Sequence, residues 1–166
     1  DDVIIGNAGN NILTGGHGND TLIGGTGQDT LRATGGHDIF TGDGSGIVAG
    51  DTFVFGVSWN NRGSATITDF QQGVDKIDLV RVTHHGSNGH ATLLDFGADG
   101  ELAWGFTDQN GLHANALDAS DKYFFDTASH TLYECDFTSG TLVLGSAIVT
   151  IDAEAPRLQT SDFVLG

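Results

Sequence analysis

Aspartate recurs at a fixed spacing among glycines near the start of the chain. GGHGNDTLI (15–23) is followed at once by GGTGQDTLR (24–32). The same nine-residue frame holds GNAGNNILT (6–14) and a partial DDVII (1–5) upstream, and ATGGHDIFT (33–41) downstream. After a short insert, GDGS (42–45), GIVAGDTFV (46–54) returns to the frame. The sixth position of the unit reads Asp2, Asn11, Asp20, Asp29, Asp38 and Asp51. Glycine permits the left-handed, tight backbone that aims carbonyl oxygens into a loop, and each aspartate adds a carboxylate. Carboxylates mixed with backbone carbonyls form the ligand set of calcium, which takes six to eight hard oxygens. The chemistry implied is binding of a hard cation.

Such loops need short strands to hold them. The eighth position reads Ile4, Leu13, Leu22, Leu31, Phe40 and Phe53. Side chains alternate along a strand, so a three-residue strand after each aspartate needs only its middle residue to be apolar. Thr, Val and Ile fill the flanking positions. One unit cannot bury its apolar residue alone, whereas stacked units can. A Gly/Asp-rich run can also be a disordered linker. The regular eighth position argues against that for the calcium-loaded chain, and disorder is the expectation without calcium, when the carboxylates stand unpaired.

These units resemble the nonapeptide of the repeat-in-toxin (RTX) family of secreted bacterial proteins. The resemblance implies a right-handed parallel β-roll with two nonapeptides per turn and calcium between loops stacked on the same side. One side would stack the loops of Asp2, Asp20 and Asp38, the other those of Asn11, Asp29 and Asp51. Each ion would take one acidic side chain from each of two stacked loops, plus loop carbonyls. Gly16, Gly18, Gly25, Gly27 and Gly36 fall where the family's loop glycines fall. Two departures stand out. Asn11 is neutral and should weaken its site, and Ala33-Thr34 replaces a Gly-Gly pair. Asp43, in the insert, either supplies a ligand or is simply solvated. Roughly three to five ions are expected over the roll.

The chain has 166 residues, with 22 acidic and 6 basic residues and a formal charge of −16. Residues 1–55 hold seven Asp and one base, Arg32. That end repels itself unless cations neutralise it, and its sign excludes nucleic acid as a partner. An anionic polysaccharide would be repelled as well, unless a local basic or calcium-bearing patch met it. The single Cys135 permits no internal disulfide. It reads as a buried strand thiol, and bound metal can replace disulfides as the staple of a secreted domain. No apolar run approaches a membrane span, and no signal peptide is visible. The sequence opens inside a repeat, which suggests the C-terminal piece of a longer protein whose upstream enzyme, if any, lies outside it.

DTFVFG (51–56) and ATITDFQQGVDKIDLV (65–80) read as strands, the latter around a QQG turn. This block resembles the segment that closes the β-roll in C-terminal domains of serralysin-type proteases, secreted lipases and mannuronan C5-epimerases. Further on, 91–106 reads as a hairpin around GADG and 122–136 as a hairpin turning at DTASH. TLVLGSAIVTID (141–152) reads as one or two strands, and ALDASDKYF (116–124) has room for one helical turn. The fold class expected is all-β: a parallel β-roll over 1–56, capped by antiparallel strands over 57–166 and packed with them as one unit. The ending DFVLG (162–166) resembles the uncleaved signal read by type I exporters. It reads equally as a final strand docked in the sheet.

Catalytic chemistry is not evident. His84, His85 and His90 cluster in THHGSNGH (83–90), but adjacent histidines on a strand face opposite ways and no HExxH is present. They read as a polar loop, and His17 and His37 as surface residues. No GxSxG elbow exists. Asp69, Asp75 and Asp78 read as turn-capping or surface residues, an extra calcium site being the other reading. Trp59, Trp104, Tyr123 and Tyr133 read as core aromatics rather than a sugar platform. The function implied is a calcium-binding domain of a larger secreted bacterial protein. It would fold outside the cell after passage through a type I exporter and then stabilise its upstream partner domain. The alternative is an alginate-like polysaccharide module. That needs a basic stripe, and the roll does not supply one.

Overall fold

The computed structural model describes residues 1–44, 46–57, 63–82, 88–90, 103–108, 111–115, 122–138, 141–152 and 158–164. Among them the chain is almost entirely strand. The first eight strands are β1 (Val3–Ile5), β2 (Ile12–Thr14), β3 (Thr21–Ile23), β4 (Thr30–Ala33), β5 (Gly36–Thr41), β6 (Thr52–Val57), β7 (Gly63–Ile67) and β8 (Lys76–Val82). The odd members pair in parallel in one sheet and the even members in the other. The chain therefore winds between two sheets, as a parallel β-roll does. Val3 sits opposite Thr21, Ile12 opposite Thr30, and Thr21 opposite Ile39. Each of these pairs is two nonapeptides apart, so the sequence period is the structural period.

Parallel pairing runs on past residue 56, where the nonapeptides end. β7 continues the odd sheet and β8 the even one, with Phe40 opposite Ile67 and Phe53 opposite Ile77. The remaining strands are β9 (Asn88–His90), β10 (Ala103–Asp108), β11 (Gly111–Asn115), β12 (Tyr123–Asp126), β13 (Thr131–Thr138) and β14 (Thr141–Ile151). β14 pairs in parallel with β7, and β13 and β12 then extend that sheet in antiparallel fashion. β12 and β13 form the hairpin expected at DTASH, where His130 takes a positive φ of 52°. TLVLGSAIVTI is a single strand with irregular pairing to β13. The expected hairpin around GADG and the helical turn after 116 fall on residues outside the described set, apart from β10 and Lys122–Phe124. The hairpin described in this region is β10–β11.

The core follows from the eighth position. Ile4, Leu22, Phe40, Ile67 and Ile151 are successive neighbours down the odd sheet. Leu13, Leu31, Phe53, Ile77 and Phe163 are successive neighbours down the even sheet. These residues belong to one hydrophobic cluster, with Ile4 and Leu13 only partly buried at its open end. The rings of Phe40 and Phe53 stack across the two sheets with centroids 6.2 Å apart. Phe163 enters through a single parallel bridge to Ile77, after a short 3₁₀ turn at Thr160–Asp162. The ending DFVLG thus supplies the last rung of the even ladder. Exposed Val3, Ile5 and Ile12 flank the open end.

Candidate metal centre

The loops fall into two stacks. Those joining odd to even strands (6–11, 24–29, 42–51 and 68–75) end in Asn11, Asp29, Asp51 and Asp75. Those joining even to odd strands lead into Asp20 and Asp38, with Asp2 heading the same column. In both columns each aspartate reaches back one turn. The N–H of Asp2 donates to Asp20 Oδ1 at 2.6 Å and that of Asp20 to Asp38 Oδ1 at 2.9 Å. The N–H of Asn11 donates to Asp29 Oδ1 at 2.7 Å, that of Asp29 to Asp51 Oδ1 at 2.8 Å, and that of Asp51 to Asp75 Oδ1 at 3.0 Å. Charge-assisted bonds of this kind are among the stronger hydrogen bonds in a protein.

A second ladder runs the opposite way at the fifth position. The N–H of Gln28 donates to Asn10 Oδ1 at 3.0 Å, and that of His37 to Asn19 Oδ1 at 2.8 Å. Here the earlier turn accepts and the later turn donates, so adjacent residues clamp each pair of loops from both sides. The fifth position was passed over in the sequence, although its run of Asp1, Asn10, Asn19 and Gln28 carries the signal.

The loop backbone is shaped by glycine. Gly16, Gly18, Gly25, Gly27 and Gly36 all have φ between 93° and 120°. At Gly36 a side chain is doubly excluded, because a Cβ would also fall on the Gly18 carbonyl of the turn above. Thr34, where a loop glycine is missing, donates its hydroxyl to the Gly16 carbonyl at 2.7 Å.

One oxygen of each central carboxylate has no partner. Asp20, Asp29 and Asp38 are at most 1 % exposed, and the Oδ2 of each is buried without a hydrogen bond. A buried charged oxygen left unpaired is strongly unfavourable. A Cβ at Gly15 or Gly24 would fall on the Oδ2 of Asp20 or Asp29, so these oxygens lie in close cradles along the loop backbone. Hard anionic oxygens beside backbone carbonyls suit calcium. Among the described residues no three His, Cys, Asp or Glu side chains converge on one point. An ion here draws most of its ligands from carbonyls, with few carboxylates each.

The electrostatics agree. Burial pushes the Asp38 carboxyl above the usual range, against the Asp20 N–H that lowers it, and the Asp20 charge raises it further. Burial raises Asp51 to about 7, with the charges of Asp43, Asp75 and Asp29 adding to it. Burial raises Asp75 to about 6, helped by the charges of Asp69 and Asp43. Desolvation and like charges disfavour ionisation in the same direction, and a bound cation would reverse both.

The remaining candidates are placed as follows. Asp2 is exposed and Asn11 half-buried at the open end of the roll. Asn11 Oδ1 accepts from the N–H of Asn7 in its own loop at 2.7 Å. Asp43 is 8 % exposed, accepting from the Ala49 N–H at Oδ2 while its Oδ1 has no partner. Asp69 caps the insert, accepting from the N–H groups of Gly42 and Gly44 at 2.9 and 2.7 Å. Asp75 and Asp78 are buried rather than superficial. His17 and His37 are exposed. His84 and His85 lie outside the described residues, and His90 sits in β9 opposite Val80. Cys135 is buried. No helix among the described residues is long and apolar enough to cross a membrane.

Residues 1–31 and 17–45 match the family model of the RTX calcium-binding nonapeptide repeat, in four copies. No curated protein matches the chain. Repeats of this family bind calcium, are not themselves catalytic, and are typical of secreted bacterial proteins. With the nine-residue frame, the parallel roll and the two aspartate columns agreeing, residues 1–45 belong to the RTX calcium-binding nonapeptide repeat family.

Proposed function

We propose that this chain is a calcium-operated folding domain of a larger secreted bacterial protein, with no catalytic site of its own. Calcium ions, roughly three to five, are held between stacked loops by Asp20 and Asp38 on one side and by Asp29 and Asp51 on the other. Asp2 and Asn11 supply weaker ligands at the open end. The loops containing Gly16, Gly18, Gly25, Gly27 and Gly36 supply carbonyls. The observation that carries this reading is the set of three buried, unpartnered carboxylate oxygens on Asp20, Asp29 and Asp38.

The mechanism is linkage. An ion that binds only the folded roll adds RT ln(1 + [L]/Kd) to its stability, roughly 2.7 kcal/mol per site at a hundredfold excess over Kd. Several such sites match a small domain's whole stability of about 5–15 kcal/mol. In a calcium-poor cytosol the acidic chain stays unfolded and can thread a type I exporter, with DFVLG as its exit signal. At extracellular calcium it folds, and the same DFVLG docks on β8. The folded roll then steadies the upstream domain of the parent protein.

The test is a calcium titration of the metal-free chain followed by circular dichroism, with magnesium as control. A cooperative coil-to-β transition specific to calcium supports the proposal. Full β structure in excess chelator would reject it.

A further inference from the structure

The insert and the loop after β7 form a layer that the nonapeptide pattern does not describe. Gly42 continues the repeat register, since the N–H of Gly25 donates to its carbonyl at 3.0 Å. Asp43 follows it and then leaves the frame. Its carboxylate turns back into its own loop, where Oδ2 accepts from the Ala49 N–H at 2.7 Å. The other oxygen is buried and has no partner, on a residue 92 % shielded from solvent (8 % exposed). The loop below holds Asp75, which accepts from the N–H groups of Asp51 and Gln71 at 3.0 and 2.7 Å. Asp43 stands close enough to both Asp51 and Asp75 for its charge to act on them. Asp69 pins the two loops together through Gly42 and Gly44.

We propose a calcium site between the inserted loop 42–51 and the non-repeat loop 68–75, with Asp43 as ligand from the first and Asp75 from the second. Carbonyl oxygens and water complete the shell. Asp75 repeats the Oδ1 contact of the nonapeptide aspartates, so the second column continues one layer beyond the repeats. The insert brings an additional carboxylate to that layer, and a buried carboxylate with a free oxygen beside two others is stable only with a cation present. This inference rests on the reading of the repeats as calcium sites.

The test is the number of ions retained by the chain, counted by native mass spectrometry in calcium chloride. Asp43→Asn keeps an acceptor for the Ala49 N–H and removes the charge. The expected result is one calcium ion fewer than wild type, with the circular dichroism spectrum at saturating calcium unchanged. Asp75→Asn should lose the same ion. An unchanged count and affinity in Asp43→Asn, with wild type binding calcium, overturns this site alone. A wild-type chain that retains no calcium overturns the reading of the repeats and this site together. Should Asp43→Asn fold poorly, the Ala49 amide resonance of wild type decides instead. It shifts on calcium binding if the site is real, and an unmoved resonance at saturation overturns it.

Discussion

The N–H of Asp29 donates to Oδ1 of Asp51 at 2.8 Å although the two residues stand 22 apart, where the equivalent pairs elsewhere stand 18 apart. The four extra residues are looped out between β5 and β6 without disturbing the ladder. Asp75 then receives the Asp51 N–H across 24 residues. Contact between carboxylate and backbone, rather than spacing in the chain, is what the column preserves.

The raised carboxyls give a pH dependence with a definite sign. Asp51 and Asp75 are raised from 3.8 to about 7 and about 6. Between the unfolded and folded values the folded, metal-free state holds protons that the unfolded chain has released, so stability falls as pH rises. In calcium-free buffer the melting temperature should therefore drop from pH 4 to pH 7, and Asp51→Asn should flatten the slope. Calcium needs the deprotonated carboxylates, so its apparent affinity should rise over the same window. Melting curves and calcium titrations at several pH values check both. Metal-free stability that climbs with pH would contradict the buried placement of Asp51.

The apolar ladders should be unequal along their length. Phe53 is fully buried and packs its ring 6.2 Å from those of Phe40 and Phe70. Phe53→Ala should cost about 3–5 kcal/mol. Leu13 is only partly buried at the open end, and Leu13→Ala should cost less than half of that, since less apolar area leaves water on folding. Denaturant unfolding in saturating calcium measures the difference. Equal losses would mean that the open end is covered in solution.

Two glycines separate strain from clash. Gly36 and Gly44 have φ of 93° and 78°. A Cβ on Gly36 would strike the Gly18 carbonyl, whereas nothing lies within 4 Å of one on Gly44. Gly44→Ala should cost only the left-handed conformation, about 1–2 kcal/mol. Gly36→Ala adds a backbone collision between turns, so its loss should be clearly larger and its calcium midpoint higher. Comparable losses would indicate that the turns separate freely.

The roll was legible where chain period and structural period coincide. From Asp2 to Phe53 a nine-residue frame names both columns and both core ladders, because each turn adds two units. Past Phe53 the offsets become 27 residues to Ile67 from Phe40 and 24 to Ile77 from Phe53. No repeat then marks the partner, and Asp75 looked like a turn residue. Ile151 and Phe163 were harder still, since they join the ladders from 84 and 86 residues away (67 to 151, 77 to 163). Such contacts are chosen by burial, which composition does not encode locally. Asn10 and Asn19 were missed for the opposite reason. Their backbone acceptor role tolerates several polar side chains, so the fifth position shows no single residue type.

The C-terminal rung should be separable from the rest of the roll. Asp162 is buried and accepts from the N–H groups of Gly73 and Gln159 at 3.1 and 2.9 Å. The N–H of Val164 donates to the Ile77 carbonyl at 2.9 Å, and Lys76 Nζ donates to the Ser161 carbonyl at 2.6 Å. Together these close the β8 edge beside Ile77, while β9 pairs with its far half at Val80–Val82. Asp162→Ala leaves two backbone donors without a partner, at about 1–3 kcal/mol each where they stay buried, and Phe163→Ala uncovers Ile77. Both should speed amide hydrogen exchange at Gly73, Ile77 and Val164. Exchange at Asp2 and Asn11, whose amides are held by Asp20 and Asp29 far up the roll, should stay as in wild type when calcium is saturating. Faster exchange at both ends would show that the roll opens as one unit and that the last rung holds the whole coil closed.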